Sequence, residues 1–483
     1  MINFIKNRHK VIFFWLLILG GYFLFRLINL TLIPMFTDEA IYLRWSQIMS
    51  GDLHYIYLPL TDGKPPLFMW LVAIGMKLAP MVDPLLVGRL TAVIMGLAGV
   101  TGIFFTSYQL FKSKLVSYIS VLFYIVSPFT FFYDRFTLAD SLLAAIGIWS
   151  LGLGIVLVRK LDLKTAVVLG GVIGLGLWTK SPALEFLLLL PSLLLLTKFK
   201  SWLRYFVLLF VVFIISRLIY SVILLLPSAY VINLKNLEFV VAPTQWVKNP
   251  LEFVAGNFHA LFLWTIQYLT WPMGVLVLIS LIYGLKQKSI AKLILIGYFA
   301  AHFTFMTFFN KTIYPRFLLM FFPLLLILAA KGIDDLKRLA IPALVLVLIF
   351  PIFVDFKILT DPINAPIADT DSHQYLNSWS AGFGLTQTRD FLAQEAKKNP
   401  KITVGMEGTF GLLPMGLELY YNRYPNLKMK PIWPEPETLP PGLDYYIIYQ
   451  REKVPFEPQL QLIAKYKEGN SNDYFKLYKI LGR

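Results

Sequence analysis

The chain has 483 residues, 57% hydrophobic and only 15% charged, with no cysteine and a formal net charge of +16; its mean hydropathy is +0.66. Soluble globular domains carry about 25% charged residues, so the composition excludes a soluble enzyme and defines a helical protein that crosses the membrane many times. The excess charge stands mostly in short loops between apolar runs, where it sets topology and meets anionic headgroups rather than nucleic acid, and the absence of cysteine rules out disulfides, a thiolate nucleophile and cysteine-based metal sites.

Lys6, Arg8 and Lys10 precede the first apolar run, 11–33. It is too long for a signal peptide and lacks a small-residue cleavage site, so it reads as a retained first span. Further runs at 88–111, 115–133, 138–158, 165–180, 183–197, 205–227, 260–284, 293–309, 316–330 and 339–357 bring the expected total to about eleven spans. Every second connection is basic, as at Lys112/Lys114, Arg159/Lys160/Lys164 and Lys331/Lys337/Arg338. The positive-inside rule places these connections and the N-terminus in the cytoplasm. The remaining connections then face outward: the first outer loop 34–87, the turn near Tyr133–Thr137, Lys180-Ser181-Pro182, 228–259, Asn310–Arg316, and the chain after about 358. Within the first outer loop, the apolar stretch Pro65–Leu78 predicts a helix lying in the membrane interface.

The spans make up a membrane domain over 1–357. From 358 to 483 Pro, Asp, Asn and Glu become common and no spanning run follows. Strand-like stretches (Lys401–Gly405, Asp444–Tyr449, Tyr474–Ile480) and helix-like ones (Thr386–Lys398, Leu413–Tyr421) predict a small extracytoplasmic α/β domain. No internal repeat is visible, which argues against a transporter of inverted repeats.

Four groups of residues could carry chemistry, all on the outward side. Asp38-Glu39 follow the first span and read either as acids at the start of a helix or as a general base beside the membrane. Asp62-Gly63-Lys64-Pro65-Pro66 puts Lys64 at headgroup depth, as a snorkelling lysine or as a cation for a lipid phosphate. Tyr133-Asp134-Arg135-Phe136-Thr137-Leu138-Ala139-Asp140 falls where two spans meet, its charges either an internal ion pair or functional. Tyr314-Pro315-Arg316 offers a guanidinium, either snorkelling or suited to bidentate phosphate binding. Arg26, Glu185, Arg217 and His302 lie inside apolar runs, where each needs a partner, and Arg89 and Lys180 complete the set. No His, Asp or Glu spacing forms a metal site. No cofactor is expected to be required, and a divalent metal is left open.

Acids and phosphate-binding cations thus converge on one side of the membrane. A transferase using a polyprenyl-phosphate sugar needs that arrangement: phosphate at the headgroup layer, and a carboxylate to activate an acceptor hydroxyl. A lipid-linked sugar flippase would share the cations but would place polar residues near the midplane. A non-catalytic glycan-binding membrane subunit is the other alternative.

Thr37-Asp38-Glu39-Ala40-Ile41-Tyr42, Lys64-Pro65-Pro66-Leu67-Phe68, Gly88-Arg89-Leu90 and Arg135-Phe136-Thr137-Leu138-Ala139-Asp140 resemble motifs of the GT-C glycosyltransferases, in the branch of protein O-mannosyltransferases and lipid A aminoarabinose transferases. Gly176–Pro182 and Tyr314-Pro315-Arg316-Phe317 look like later family positions. The resemblance implies a GT-C fold and an inverting hexosyl or pentosyl transfer on the outer face of the plasma membrane. The donor would be a polyprenyl-phosphate sugar, and the acceptor a protein, glycolipid or polysaccharide. It implies Asp38 as catalytic base, Glu39 as positioning acceptor or base, and Asp140 as a second acid orienting sugar or acceptor. Lys64 and Arg316 would hold the donor phosphate, with Arg26, Asp62, Arg89, Asp134, Arg135, Lys180 and Tyr314 around the cavity. Aminoarabinose transferases often carry Glu just before the motif lysine, where this chain has Gly63 with Asp62 one residue further back. The C-terminal domain also lacks the repeat of a β-trefoil, so the family's metal ligand and acceptor class are not carried over.

Overall fold

In the computed structural model, residues 2–420, 424–434, 438–449 and 459–481 are described. The helices in chain order are α1 (Ile2–Leu27), α2 (Thr37–Gly51), α3 (Leu67–Leu78), α4 (Pro84–Phe111), α5 (Lys114–Val126), α6 (Pro128–Tyr133), α7 (Asp140–Lys160) and α8 (Leu163–Leu177). They continue as α9 (Leu184–Leu189), α10 (Trp202–Leu224), α11 (Tyr230–Leu237), α12 (Pro243–Lys248), α13 (Val254–Leu269), α14 (Trp271–Lys286), α15 (Ile290–Phe309), α16 (Phe322–Asp335) and α17 (Ala340–Thr360). Beyond them lie α18 (Asp369–Leu376), α19 (Leu385–Lys398) and α20 (Leu412–Glu418), with strands β1 (Ile402–Glu407), β2 (Leu427–Ile432), β3 (Tyr445–Ile448), β4 (Leu460–Lys467) and β5 (Tyr474–Ile480).

Short polar residues start several of these helices. Asp83 accepts from Leu85 N ahead of Pro84, Ser113 from Val116 N, and Asp162 from Thr165 N, so each meets one of the open N–H groups of a first turn. α7 is the central helix of the bundle, with 78% of its apolar window buried. The corresponding windows in α10 and α17 are only 28% and 22% buried, which leaves their apolar sides for lipid. α8 and α10 approach closely because Gly170 and Gly174 face Ile215 and Ile219, where a Cβ would come within 2.7 and 2.8 Å of the isoleucine side chains.

Among the described residues, five helices are long and apolar enough to span a membrane, or six if one bent pair counts as a single span. Of the roughly eleven apolar runs read as spans, several are thus short or broken helices rather than single long ones. Run 260–284 is α13 and α14, bent by 100°. The break falls at Thr270, whose φ is +62°, just before Trp271-Pro272. In 183–197, α9 gives way at Leu190-Pro191 to a 3-10 stretch ending at Leu196. In 316–330, Pro315 and Pro323 separate the 3-10 stretch Pro315–Met320 from α16. Proline removes an N–H and constrains the preceding residue, so apolar length overstates helix length.

The C-terminal strands form one sheet in the order β2-β1-β3-β5-β4. β1 runs parallel to β2 and β3, while β5 pairs antiparallel with β3 and β4. α18, in the connection before the sheet, buries Asp371, Tyr375 and Leu376; the two apolar residues belong to the same core as the membrane helices. α3 lies against α2 and α4 with Phe68, Met69, Val72 and Met76 buried, while Ile74 and Leu78 stay exposed.

Candidate functional site

The turn between α1 and α2 is irregular and half-buried, with Leu30, Ile33, Met35 and Phe36 inside and Ile28 and Leu32 exposed, so the carbonyls on its inner side need donors. Arg89 of α4 supplies them. Its Nη1 reaches Leu30 O at 2.9 Å and Ile33 O at 2.8 Å, and its Nη2 reaches Pro34 O at 2.9 Å. The same guanidinium grips Glu39 through Nε–Oε1 at 3.0 Å and Nη2–Oε2 at 2.7 Å, which uses all five donors. Glu39 is fully buried and also accepts from Phe36 N at 3.1 Å and Thr137 N at 2.8 Å.

Of the two roles the resemblance implies for Glu39, positioning the acceptor or positioning the base, the first finds no free carboxylate oxygen. Both of its oxygens are committed, and it fixes the start of α2 against α4 and the α6–α7 turn. Arg26, Asp134 and Arg135 are likewise scaffold rather than cavity wall. Arg26 pairs with Asp134 at 3.3 Å and donates to Ile125 O at 2.8 Å. Arg135 donates to Phe25 O, Arg26 O, Ile28 O and Asn29 O at the end of α1. Inside the bundle, His302 meets Glu185 at 2.8 Å, the kind of pairing expected for buried charges.

With the corner so held, the next carboxylate stands apart. Asp38 Oδ2 accepts from Arg316 Nη1 at 2.9 Å, and both side chains are partly exposed, at 19% and 12%. The Arg316 guanidinium lies between the rings of Phe36 and Tyr314, 5.9 and 5.3 Å from their centroids, and its Nε is buried without a partner. Lys64 sits 5.3 Å from the Tyr42 ring centroid. Asp140 Oδ1 accepts from Lys180 Nζ at 2.7 Å, while its Oδ2 is buried and unpartnered. Lys180 in turn lies 6.0 Å from the ring of Phe317, next to Arg316.

Burial alone would raise the Asp38 carboxyl. Lys64 and Arg316 outweigh it, with help from Lys180, and hold it at about 2. Burial works against the charge on Lys64, but the Tyr42 hydroxyl and Asp38 raise its affinity for a proton. Burial lowers the Lys180 ammonium even with Asp140 beside it.

The structure therefore brings together Asp38, Lys64, Asp140, Lys180, Tyr314 and Arg316. Asp62 lies at the edge, 3.5 Å from Lys235. Among the described residues, no group of three or more His, Cys, Asp or Glu side chains could hold a metal ion. Sequence reasoning missed Phe36, Tyr375 and Asp371. Tyr375 packs on Phe36 at 4.3 Å. Asp371 is fully buried beside Tyr268, with burial pushing its carboxyl up to about 7. Asp369 and Asp371 stand in a polar stretch of the sequence, which signals a solvated turn rather than a buried acid.

Residues 63–226 match the family described as dolichyl-phosphate-mannose-protein mannosyltransferase. The solved structure of ArnT from Cupriavidus metallidurans bound to undecaprenyl phosphate superposes with a TM-score of 0.62 at 16% identity, covering 97% of this chain and 98% of that one. The same protein in the apo state gives 0.58 at 16% identity, covering 98% of each chain. An Archaeoglobus fulgidus oligosaccharyltransferase tethered with an acceptor peptide gives 0.49 at 13% identity, over 86% of this chain and 63% of that one. No curated protein sequence matches significantly. The fold is thus that of the GT-C glycosyltransferases, in a multi-pass membrane protein. Over residues 63–226 the sequence is similar to that of the dolichyl-phosphate-mannose-protein mannosyltransferase family.

Glu39→Gln leaves Arg89 buried without its counter-charge and is expected to cost about 3–5 kcal/mol of stability. Thermal unfolding of the purified variant in detergent tests this, and an unchanged melting temperature would refute the scaffold role. The pH dependence of Asp38 has a definite sign. Its folded value lies below the unfolded one of about 4, so the ion pair stabilises fully above about pH 4 and is lost as pH falls towards 2. The melting-temperature gap between wild type and Asp38→Asn should narrow over that window, and a constant gap would contradict the pairing.

Proposed function

We propose that the protein is an inverting glycosyltransferase that moves a sugar from a polyprenyl-phosphate donor to an acceptor hydroxyl on the outer face of the membrane. The observation that carries this reading is the shared site of Asp38, Lys64 and Arg316, with the Lys180–Asp140 pair beside it. Three cations stand there against the two carboxylates they pair with or face, Asp38 and Asp140, an excess of one before the more distant Asp62 and Asp371 are counted. Among the described residues Lys64 has no carboxylate within ion-pair distance. A phosphate anion suits that excess, and the ArnT structure that shares the fold holds undecaprenyl phosphate.

In this reading, Lys64 and Arg316 bind the donor phosphate. A carboxylate held by two cations is a poor base. The incoming phosphate competes for Arg316, loosens the Arg316–Asp38 pair and leaves Asp38 free to accept a proton. The acceptor O–H gives its proton to Asp38 as its oxygen bonds to the anomeric carbon. The bond from that carbon to the phosphate oxygen breaks, its electron pair stays on the phosphate, and the polyprenyl phosphate departs. Lys64 and Arg316 stabilise the charge that gathers there, a type of pre-placed electrostatic stabilisation that is often the largest catalytic term. Asp140, oriented by Lys180, faces the same site and positions the sugar or the acceptor.

Mass spectrometry of envelope glycans with and without the gene identifies the sugar and acceptor. Transfer by the detergent-purified protein, with no sealed membrane, separates a transferase from a flippase. In that assay Asp38→Asn is expected to lower turnover at least about 100-fold while staying folded, since a general base contributes about 10²–10⁴-fold. Near-normal turnover would remove Asp38 from the role. Lys64→Ala and Arg316→Ala are expected to raise the donor KM, and an unchanged KM in both would overturn the phosphate assignment.

A further inference from the structure

We infer that the C-terminal part of the chain is a clamp on the helix that carries Asp38, and that Thr37, held by the main chain of Ser380, is a positioning residue for the reaction. The inference rests on the reading of Asp38 as the base.

The first turn of α2 needs outside partners. Phe36 stands at its N-cap, where its side chain can accept no hydrogen bond, so the first N–H groups stay open to other acceptors. One acceptor comes from the other end of the chain: Ser380 O takes Thr37 N at 3.1 Å and Thr37 Oγ1 at 3.1 Å. The loop around Ser380 is itself tied down. Ser380 Oγ donates to Gln374 O at 2.6 Å, and Ala381 N donates to Ser378 O at 2.9 Å. Gly382, at φ +38°, is pressed so closely on the α1–α2 turn that a Cβ would lie 2.3 Å from Met35 O. On the other side of Thr37, a Cβ on Gly411 would lie 3.2 Å from its Cγ2.

The contact continues along the helix. Arg44 Nε meets Glu418 Oε2 at 3.2 Å, and Gln47 Nε2 donates to Leu419 O at 2.7 Å. The C-terminal part is also anchored on a second membrane-side element. Arg389 meets Asp83 at 3.3 Å, and Tyr420 OH lies 3.3 Å from the same carboxylate, at the start of α4. α2 is therefore gripped from outside at its first residue, one position before Asp38, and again near its middle.

The Lys64 segment is held differently. Lys64 N donates to Pro59 O at 3.0 Å, Leu67 N to Trp178 O at 3.0 Å, and Gly63 abuts Val231 and Lys235. These ties all lie on the membrane side of the chain. Loosening the clamp should then displace Asp38 first, because the backbones that carry Lys64 and Arg316 stay anchored even though their side chains pack on Tyr42 and Phe36. That split distinguishes a positioning role from a general loss of structure.

The test uses the full-length protein in detergent with two readouts. One is binding of undecaprenyl phosphate, the probe for the phosphate site. The other is transfer from a membrane lipid extract to envelope acceptor, followed by mass spectrometry. Thr37→Val removes the hydroxyl bond and keeps the shape. It is expected to lower turnover about 5-fold, the worth of one hydrogen bond, with undecaprenyl phosphate affinity unchanged within about twofold. Thr37→Ser restores the bond and the turnover. Gly382→Ala pushes on Met35 O and is expected to cost about 10–100-fold, because a 1 Å misplacement of a reacting group can cost 10²-fold. If Gly382→Ala does not fold, the Thr37→Val and Thr37→Ser pair decides alone.

Full turnover by Thr37→Val, equal losses in Thr37→Val and Thr37→Ser, or a parallel loss of lipid-phosphate affinity would each overturn the clamp. Asp38→Asn in the same assay separates the two readings. If it is inactive while Thr37→Val is fully active, only the clamp fails. If it retains turnover, the base assignment fails, and the clamp as a catalytic positioner fails with it.

Discussion

The structure depends on one buried ion pair, Arg89 with Glu39. The irregular turn between α1 and α2 turns Leu30, Ile33, Met35 and Phe36 inward, where a carbonyl must find a donor. Arg89 spends three of its donors on that turn and two on Glu39. A buried pair of this kind gains little over apolar packing, yet it is costly to break once made. Its consequence here is positional. Glu39 cannot turn toward the site, so the carboxylate one residue earlier, on a different face of the same helix turn, is the one left to meet Arg316.

The neighbouring charges divide in the same way. Arg26, Asp134 and Arg135 are buried and spend themselves on one another and on the carbonyls of α1, α5 and the α1–α2 turn. Asp38, Arg316, Lys180 and Lys64 keep some access, and Arg316 Nε and Asp140 Oδ2 remain without partners. Arg89 and Glu39 have every donor and acceptor committed, which marks them as scaffold. The unspent Arg316 Nε–H donor and an excess of positive charge mark the place for an anion.

The C-terminal part takes part in this arrangement. Its connecting helix α18 buries Tyr375 against Phe36, and its loops meet Thr37 and the middle of α2. α2 lies between this part and α3, where Ser46 Oγ donates to Met69 O at 3.0 Å. The helix that bears Asp38 therefore belongs to neither half alone.

Much of this was legible in the residues. Membrane insertion follows from apolar length, and the three inner strands β1, β3 and β5 and the helices α19 and α20 follow from periodicity. The two missed strands, β2 and β4, are the edges of the sheet. Their polar faces blur the alternation, with only Leu427 and Ile432 fully buried in β2 and Leu460 in β4. Apolar runs outnumber long unbroken helices because hydropathy registers apolar length and not the prolines near helix breaks at 191, 272 and 323. The sequence by itself determined which charged residues the membrane would force into pairs or onto its surface, since an unpaired charge in hydrocarbon is too costly. Only the tertiary structure decided which of them were spent. Hydrogen-bond saturation depends on partners far along the chain, 50 residues away for Glu39 with Arg89 and 278 for Asp38 with Arg316, and no local pattern encodes it.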